Sequence, residues 1–434
     1  MTDESGYPSR PYAWTVVAIL IATAILSYTD RQVLSLLVDP IRADLGISDT
    51  QISLLLGTAF AVVYGFAGIP LGFLADRTSR RNLIFGGVLV WSIGTLACGF
   101  SRSFGELFAA RIVVGLGEAV LSPAAISLIS DYFPPSRRGT AVGCFLSGIA
   151  MGIGASILIG GGVLRLVESG ALAGTALAAQ PAWRLVLLVI GAPGVLWALA
   201  ILAIREPARR MTQTNVTTAQ TAETAGWSRV IPIYIVVALA SLVDNAVGAW
   251  APTLLIREFT RNAAQVGVVL GLLLTAGFGG GVLIGGWLAD RAGARGGWSR
   301  KLVVALISSL LILPVSLLVN AGQYNVVLWS VPLYFALSGS VTALGFSAIL
   351  DVVPNRSRGL AMAISFFLNV AIGAGVGPTA VAMASDRLFG ANAGLGPAIT
   401  LTVALSYGLA AITLLATLSL FRRRDGTQCF QAPR

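Results

Sequence analysis

Between Tyr12 and Val38 the sequence runs almost unbroken through apolar residues, and in its midst stands Ser27-Tyr28-Thr29-Asp30-Arg31. A carboxylate and a guanidinium inside a stretch long enough to cross a bilayer each cost about 2.5–3.5 kcal/mol at a helix centre. Adjacent helix positions point about 100° apart, so Asp30 and Arg31 do not neutralise each other, and each needs a partner elsewhere. Arg111 and Glu118 form a second set, seven residues apart and therefore on one helix face. Asp244 and Asn245 form a third. Carboxylates in such places can take up and release protons, and guanidinium groups can hold a phosphate or carboxylate bidentately. A permanently ionised structural network would use the same residues, and the sequence leaves both readings open.

The elements that position these residues are set by composition. The chain has 434 residues, 56% hydrophobic and 11% charged, with a mean hydropathy of +0.83. A soluble protein cannot cover so much apolar surface, and the apolar runs have the length of spanning helices rather than of barrel strands. The reading is an all-α polytopic membrane protein with twelve transmembrane helices. They fall at roughly 12–37, 50–74, 82–100, 106–130, 139–164, 183–204, 230–256, 263–288, 301–320, 325–350, 358–384 and 396–421. With a cytoplasmic N-terminus, 20 of the 29 Lys and Arg residues lie on inner segments and 7 on outer ones. That asymmetry predicts both termini in the cytoplasm, and the expected location is the inner (plasma) membrane.

The net charge of +10 punctuates the apolar runs instead of forming a stripe, so no nucleic-acid partner is expected. There is no His and one lysine, Lys301, which speaks against a metal site, a Schiff base or a hydrolytic triad. No cofactor and no enzymatic activity are expected. Cys98, Cys144 and Cys429 do not suggest a disulfide framework.

The chain repeats itself. Ser27-x-x-Asp30-x-x-Val33 matches Ser241-x-x-Asp244-x-x-Val247 at an offset of 214 residues, and Gly72-Phe-Leu-Ala-Asp76-Arg77 matches Gly286-Trp-Leu-Ala-Asp290-Arg291 at the same offset. Asp131-x-x-Pro134-x-x-x-Arg138-Gly139 matches Asp351-x-x-Pro354-x-x-x-Arg358-Gly359 at 220. Two like-oriented six-helix halves follow, residues 1–204 and 230–434, joined by a polar linker at 205–229. The stretch Gly72 to Arg81 resembles the loop 2–3 signature of the major facilitator superfamily, and Arg111-x-x-x-Gly115-x-Gly117-Glu118-Ala119 resembles its fourth-helix signature. Ser79 stands where that pattern usually has Gly. Within the superfamily, Tyr28-Thr29-Asp30-Arg31 together with Gly115 to Ala119 resembles the spinster family, which moves lysophospholipids and sphingosine-type phosphates.

The resemblance implies two pseudo-symmetric six-helix bundles and brings spans 1 and 4 to one cavity, where Arg111 can meet Asp30 and Arg31 can reach Glu118. The four charges then sum to zero. Loss of solvent favours the neutral form of a carboxylate and a nearby guanidinium favours the charged one, so opening the cavity would bind or release a proton. The resemblance also implies a cytoplasmic latch from Gly72, Asp76, Arg77, Arg80, Arg81, Asp290 and Arg291; topogenic charge alone explains the arginines. Tyr28, Phe60, Tyr64, Phe145, Trp250 and Phe346 could wall an amphiphile pocket, face lipid or pack in the core. Gly277, Gly279 to Gly281, Gly373, Gly375, Gly377 and Pro378 serve close packing or a hinge. The expectation is a monomeric proton-coupled carrier of an anionic amphiphile, of lysophospholipid or sphingoid-phosphate type, surrounded by membrane lipid. A carrier of a small water-soluble organic anion is the alternative.

Overall fold

The computed structural model describes residues 7–170, 180–207, 223–353, 358–390 and 394–428. Most of the expected linker and of the loop near 168–182 lies outside them. The described residues form fifteen α-helices with short 3-10 and π segments and no β-strand. Lipid offers the backbone no hydrogen bonds, so helices that satisfy themselves are what the apolar runs become.

Helix α1 (Arg10–Gln32) ends in a 3-10 turn, Val33–Leu36. Two short helices follow, α2 (Val38–Leu45), closed by Gly46 at φ 65°, and α3 (Asp49–Ser53), opened by a Ser48/Gln51 capping box. A π segment, Leu54–Thr58, leads into α4 (Ala59–Arg77), and α5 is Arg80–Phe100. The fourth span is two helices, α6 (Phe104–Glu118) and α7 (Leu121–Tyr132). Pro123 cannot donate to the Ala119 carbonyl four residues back, which accounts for the break one residue after Glu118. Next come α8 (Pro135–Glu168), α9 (Ala182–Leu202) and α10 (Glu223–Phe259). The run α11 (Ala263–Leu317) is interrupted at Gly296 and Gly297, the latter at φ 63°, and so holds the eighth and ninth spans. Then follow α12 (Tyr324–Val352), α13 (Arg358–Leu368), α14 (Gly375–Ala384) and α15 (Leu395–Gln428), with π segments Asn369–Ala374 and Ser385–Phe389 flanking α14.

Nine helical runs among the described residues are long and apolar enough to cross a membrane, the longest being Ala263–Asn320 with 58 residues. That run supplies two crossings, and α4 and α8 supply the second and fifth, so the twelve expected spans all fall on helices.

The chain forms two compact units, Met1–Asn215 with Ala249–Thr275, and Val216–Gly248 with Ala276–Arg434. Helix α10 therefore starts in one unit and finishes in the other. Its end is held in the first by Arg257, which donates to both oxygens of Asp49 at 2.7 and 2.8 Å and to Asp39 at 2.8 Å. Thr253 donates to the Ser35 carbonyl at 3.2 Å. In the first unit α5 crosses α6 at Gly87 and Gly117; a Cβ on Gly117 would stand 2.6 Å from the Gly87 carbonyl oxygen. In the second unit α11 lies on α12 through Gly277, Gly281 and Gly285, whereas a Cβ on Gly279 or Gly280 would meet open space. Close backbone approach is how helices gain contact where lipid tails are as apolar as leucine.

Candidate functional site

In the first unit, α1 and α6 bring their last turns together. Arg31 donates from Nη2 and Nε to Glu118 Oε2 at 2.6 and 3.1 Å. Its guanidinium lies over the Phe60 ring at 3.7 Å and the Tyr28 ring at 4.7 Å, and Phe60 stacks against Tyr64 at 5.2 Å. The cation is thus held by one carboxylate oxygen and two ring faces.

Arg111 departs from the expectation. It does not pair with the Asp30 carboxylate. It donates to the main-chain carbonyls of Asp30 and Leu55, each at 3.3 Å. Both carbonyls sit where the helical hydrogen-bond ladder is disturbed, at the end of α1 and in the π segment Leu54–Thr58. Such positions leave acceptors that a buried donor can use. No Lys or Arg nitrogen lies within 4.0 Å of the Asp30 carboxylate among the described residues.

Asp30, Arg111 and Glu118 are at most 2% exposed. Asp30 Oδ1, Glu118 Oε1, Arg111 Nη2 and the Thr95 hydroxyl have no hydrogen-bond partner among the described residues. Orphaned buried polar atoms are costly and rare, and several in one site mark a place organised for something other than stability.

The second unit places Asp244 differently. Its Oδ1 accepts from Tyr334 at 2.8 Å and from Ser338, and Tyr407 donates to Ser338 at 2.8 Å. Asn245 donates to the Ser241 carbonyl at 2.9 Å, and Asn369 to the Ser241 hydroxyl at 2.7 Å.

Of the other aromatics, Phe145 and Trp250 have no exposed surface. They fill packed interior rather than an open wall, because bulky apolar groups facing the helical contacts of the first unit are what those contacts close over. Phe346 is half-buried beside Phe366 at 5.9 Å.

The expected latch residues divide. The side chains of Gly72 and Asp76 lie outside the described residues. Arg77, Asp290 and Arg291 are exposed, with Arg291 over the Trp287 ring at 3.6 Å. Arg80 is buried and fixed: it pairs with Asp131 and, at 2.8 Å, with Glu206. Glu206 caps α5, accepting from the Arg81 backbone N–H at 2.9 Å and from Ser79 at 3.0 Å. Burial pulls the Glu206 carboxyl up, but the Arg81 N–H, the Arg80 guanidinium and the Ser79 hydroxyl outweigh it and hold the group below its ordinary value. Ser79 is the N-cap of α5, accepting from Asn82, which accounts for a serine where the resembled pattern has glycine. The second unit repeats the motif more simply: Lys301 pairs with Asp351 at 2.6 Å and donates to Ser347 at 2.8 Å.

Asp131 and Asp351 were visible as repeat-related positions, though nothing in that match gave them a partner. Glu206, Asp39, Asp49, Arg257, Tyr334, Ser338 and Tyr407 were not read as functional. Arg205-Glu206-Pro207, at the very end of an apolar span, was the available signal for the first of these.

The Major Facilitator Superfamily model matches residues 20–378. The chain belongs to the major facilitator superfamily. An MFS-type efflux pump of Mycolicibacterium smegmatis is 30% identical over 433 residues, 97% of this chain and 96% of that one. A hexuronate transporter of Bacillus subtilis is 26% identical over 395 residues, 86% and 88% of the two chains. A solved bacterial homologue of the human lysosomal transporter Spinster, inward-facing and occupied, superposes with a TM-score of 0.78 at 25% identity, covering 97% of this chain and 98% of that one. The superfamily chain is a spinster-like, membrane-spanning secondary transporter and not an enzyme.

Proposed function

We propose that this transporter carries an anionic amphiphile and couples its movement to protons at the Arg31–Glu118 pair. The carrying observation is that pair itself: a guanidinium held by one carboxylate oxygen over aromatic rings, with the second carboxylate oxygen unmet. While Glu118 is ionised it occupies Arg31. Protonating Glu118 removes the charge that holds the guanidinium, and Arg31 then offers its planar fork to a phosphate or carboxylate headgroup. Release of the proton restores the pair and expels the anion. Asp30 is the second proton acceptor, and Arg111, tied to main-chain oxygens, fixes α1 against the π segment Leu54–Thr58 while leaving Nη2 for ligand oxygens.

Tyr28, Phe60 and Tyr64 supply the apolar surface that an acyl chain needs next to the charge. The halves 1–204 and 230–434 alternate access about this site, with the linker 205–229 and both termini in the cytoplasm of a cell with this chain in its inner membrane. The likeness to a spinster homologue supports the amphiphile. The similarity to a hexuronate transporter over most of the chain favours a second reading, a small water-soluble organic anion in the same site.

Proteoliposomes with an internal pH dye test both. Lysophospholipids, sphingoid phosphates and sugar acids are added in turn. Proton flux evoked by an amphiphile and lost in Glu118→Gln is the expected result. Flux evoked by sugar acids alone moves the assignment to the second reading, and substrate movement without proton flux removes coupling.

A further inference from the structure

Helix α6 meets the Arg31 site through three residues on one face. Arg111, Gly115 and Glu118 stand four and three positions apart. Arg111 bonds the Asp30 and Leu55 carbonyls, and Glu118 accepts from Arg31. Gly115, between them, has no side chain to contribute. Its backbone lies against Phe60 instead. A Cβ at position 115 would stand 3.3 Å from Phe60 Cδ2 and 3.4 Å from the Phe60 Cα and carbonyl oxygen, and these three atoms are its nearest neighbours.

The register behind that contact is unusual. Leu55 and Phe60 are five residues apart, while Arg111 and Gly115, which they meet, are four apart. A π turn holds about one residue more than an α turn, and the π segment Leu54–Thr58 takes up the difference. Phe60 thereby comes level with Gly115. Its side chain is buried, with the Arg31 guanidinium 3.7 Å from the ring centre and the Tyr64 ring at 5.2 Å. In a close-packed interior a methyl at 115 cannot be absorbed without moving that ring relative to the cation. Other glycines of the first unit serve different contacts. Gly117 faces the Gly87 carbonyl of α5, and a Cβ on Gly148 of α8 would stand 2.7 Å from Ile21.

We propose that Gly115 is a positioning residue for Arg31, acting through the Phe60 ring. One helix face then carries both the carboxylate that holds the guanidinium and the backbone that seats the ring beneath it. The orientation of the guanidinium plane decides whether both nitrogens of the fork can reach a headgroup, so the absence of a side chain at 115 sets anion affinity. The effect on transport rests on the anion reading of this site; the effect on Arg31 does not.

The test follows Arg31 by NMR in the full chain, labelled with 15N-arginine and held in lipid nanodiscs. Its Nε–H donates to Glu118 at 3.1 Å and lies against a ring whose current shifts the resonance. Arg31→Lys identifies the signal by removing it. Gly115→Ala should move the signal while the melting temperature stays within a few degrees of wild type, because alanine favours the helix and the contact is short by only tenths of an ångström. Gly148→Ala should lower the melting temperature and leave the signal in place. In proteoliposomes, Gly115→Ala should raise KM for a lysophospholipid about three- to tenfold with kcat within about twofold. Phe60→Leu, which adds no atom near Gly115, should move the signal and raise KM by a similar factor.

An unchanged Arg31 signal in folded Gly115→Ala overturns the proposal, and amphiphile-evoked flux in wild type would then leave the anion reading standing. A signal that moves equally in Gly148→Ala overturns it too, since any packing change would suffice. So does a moved signal with unchanged KM. If wild type carries no anion while Gly115→Ala still moves the signal, the anion reading fails and the positioning of Arg31 is supported.

Discussion

Arg31 reaches Glu118 with two nitrogens while its guanidinium lies over the Phe60 and Tyr28 rings, so both the fork and the flatness of the guanidinium are used. A lysine supplies a point charge without either property. Arg31→Lys should therefore lower affinity for an anionic amphiphile by about ten- to a hundredfold, measured by equilibrium binding in nanodiscs. Glu118→Gln keeps the shape and removes the proposed proton acceptor, so substrate-evoked acidification should fall to that of empty vesicles. Glu206 makes a different pH prediction. Its carboxyl is held below the ordinary value, so the stability it adds is fully present above the ordinary glutamate value of about 4.3 and is lost as pH falls through the lower folded value. Melting temperatures should drop on acidification in that window, and Glu206→Gln should flatten the drop. The Arg31–Glu118 pair was legible through the family resemblance, which brings spans 1 and 4 to one cavity; spacing alone put Arg111 and Glu118 on one helix face. The partners of Arg111 were not, since they are main-chain oxygens released by local helix irregularities that no residue pattern announces.

Among elements, the crossings of the membrane were readable from hydropathy and the breaks inside them were not. The fourth span reads as one apolar run, yet it stops at Glu118 and restarts at Leu121. Pro123 is the physical cause, and a proline in a spanning helix is too common to fix such a break from sequence alone. The glycines of the eighth span allowed two roles, and the backbone separates them by position. Gly281→Ala would set a Cβ 2.3 Å from the Ala336 carbonyl oxygen, whereas Gly279→Ala meets nothing within 4 Å. The first substitution should cost about 1–3 kcal/mol and the second should be neutral or slightly stabilising, by thermal unfolding in nanodiscs. Equal behaviour of the two would mean that the α11–α12 crossing is looser than its geometry.

At the scale of the whole molecule, each unit ties helix ends together with a buried cation. Arg80 joins α5 to α7 and to the Glu206 segment, and Lys301 joins α11 to α12. Arg80→Ala leaves Asp131 in a buried setting without its guanidinium and should cost about 3–5 kcal/mol, lowering the melting temperature by several degrees without changing substrate selectivity. The internal repeat let the sequence mark Asp131 and Asp351 as equivalent positions without their cations, while Arg257, Asp39 and Asp49, which help tie the end of α10 into the first unit, share no motif.

That assignment also has a bearing on how the protein is made. Asp49 and Arg257 are 208 residues apart in the chain, so at ordinary elongation rates the acid leaves the ribosome on the order of 10–40 s before its base. Arg42, 3.2 Å from Asp49 in the finished protein, is a cation already made when Asp49 emerges. The first unit is consequently a nascent intermediate for much of translation, complete only when residue 275 has been inserted. A ribosome stalled before that point should carry a first unit that a quality-control protease cuts more readily than one stalled after it.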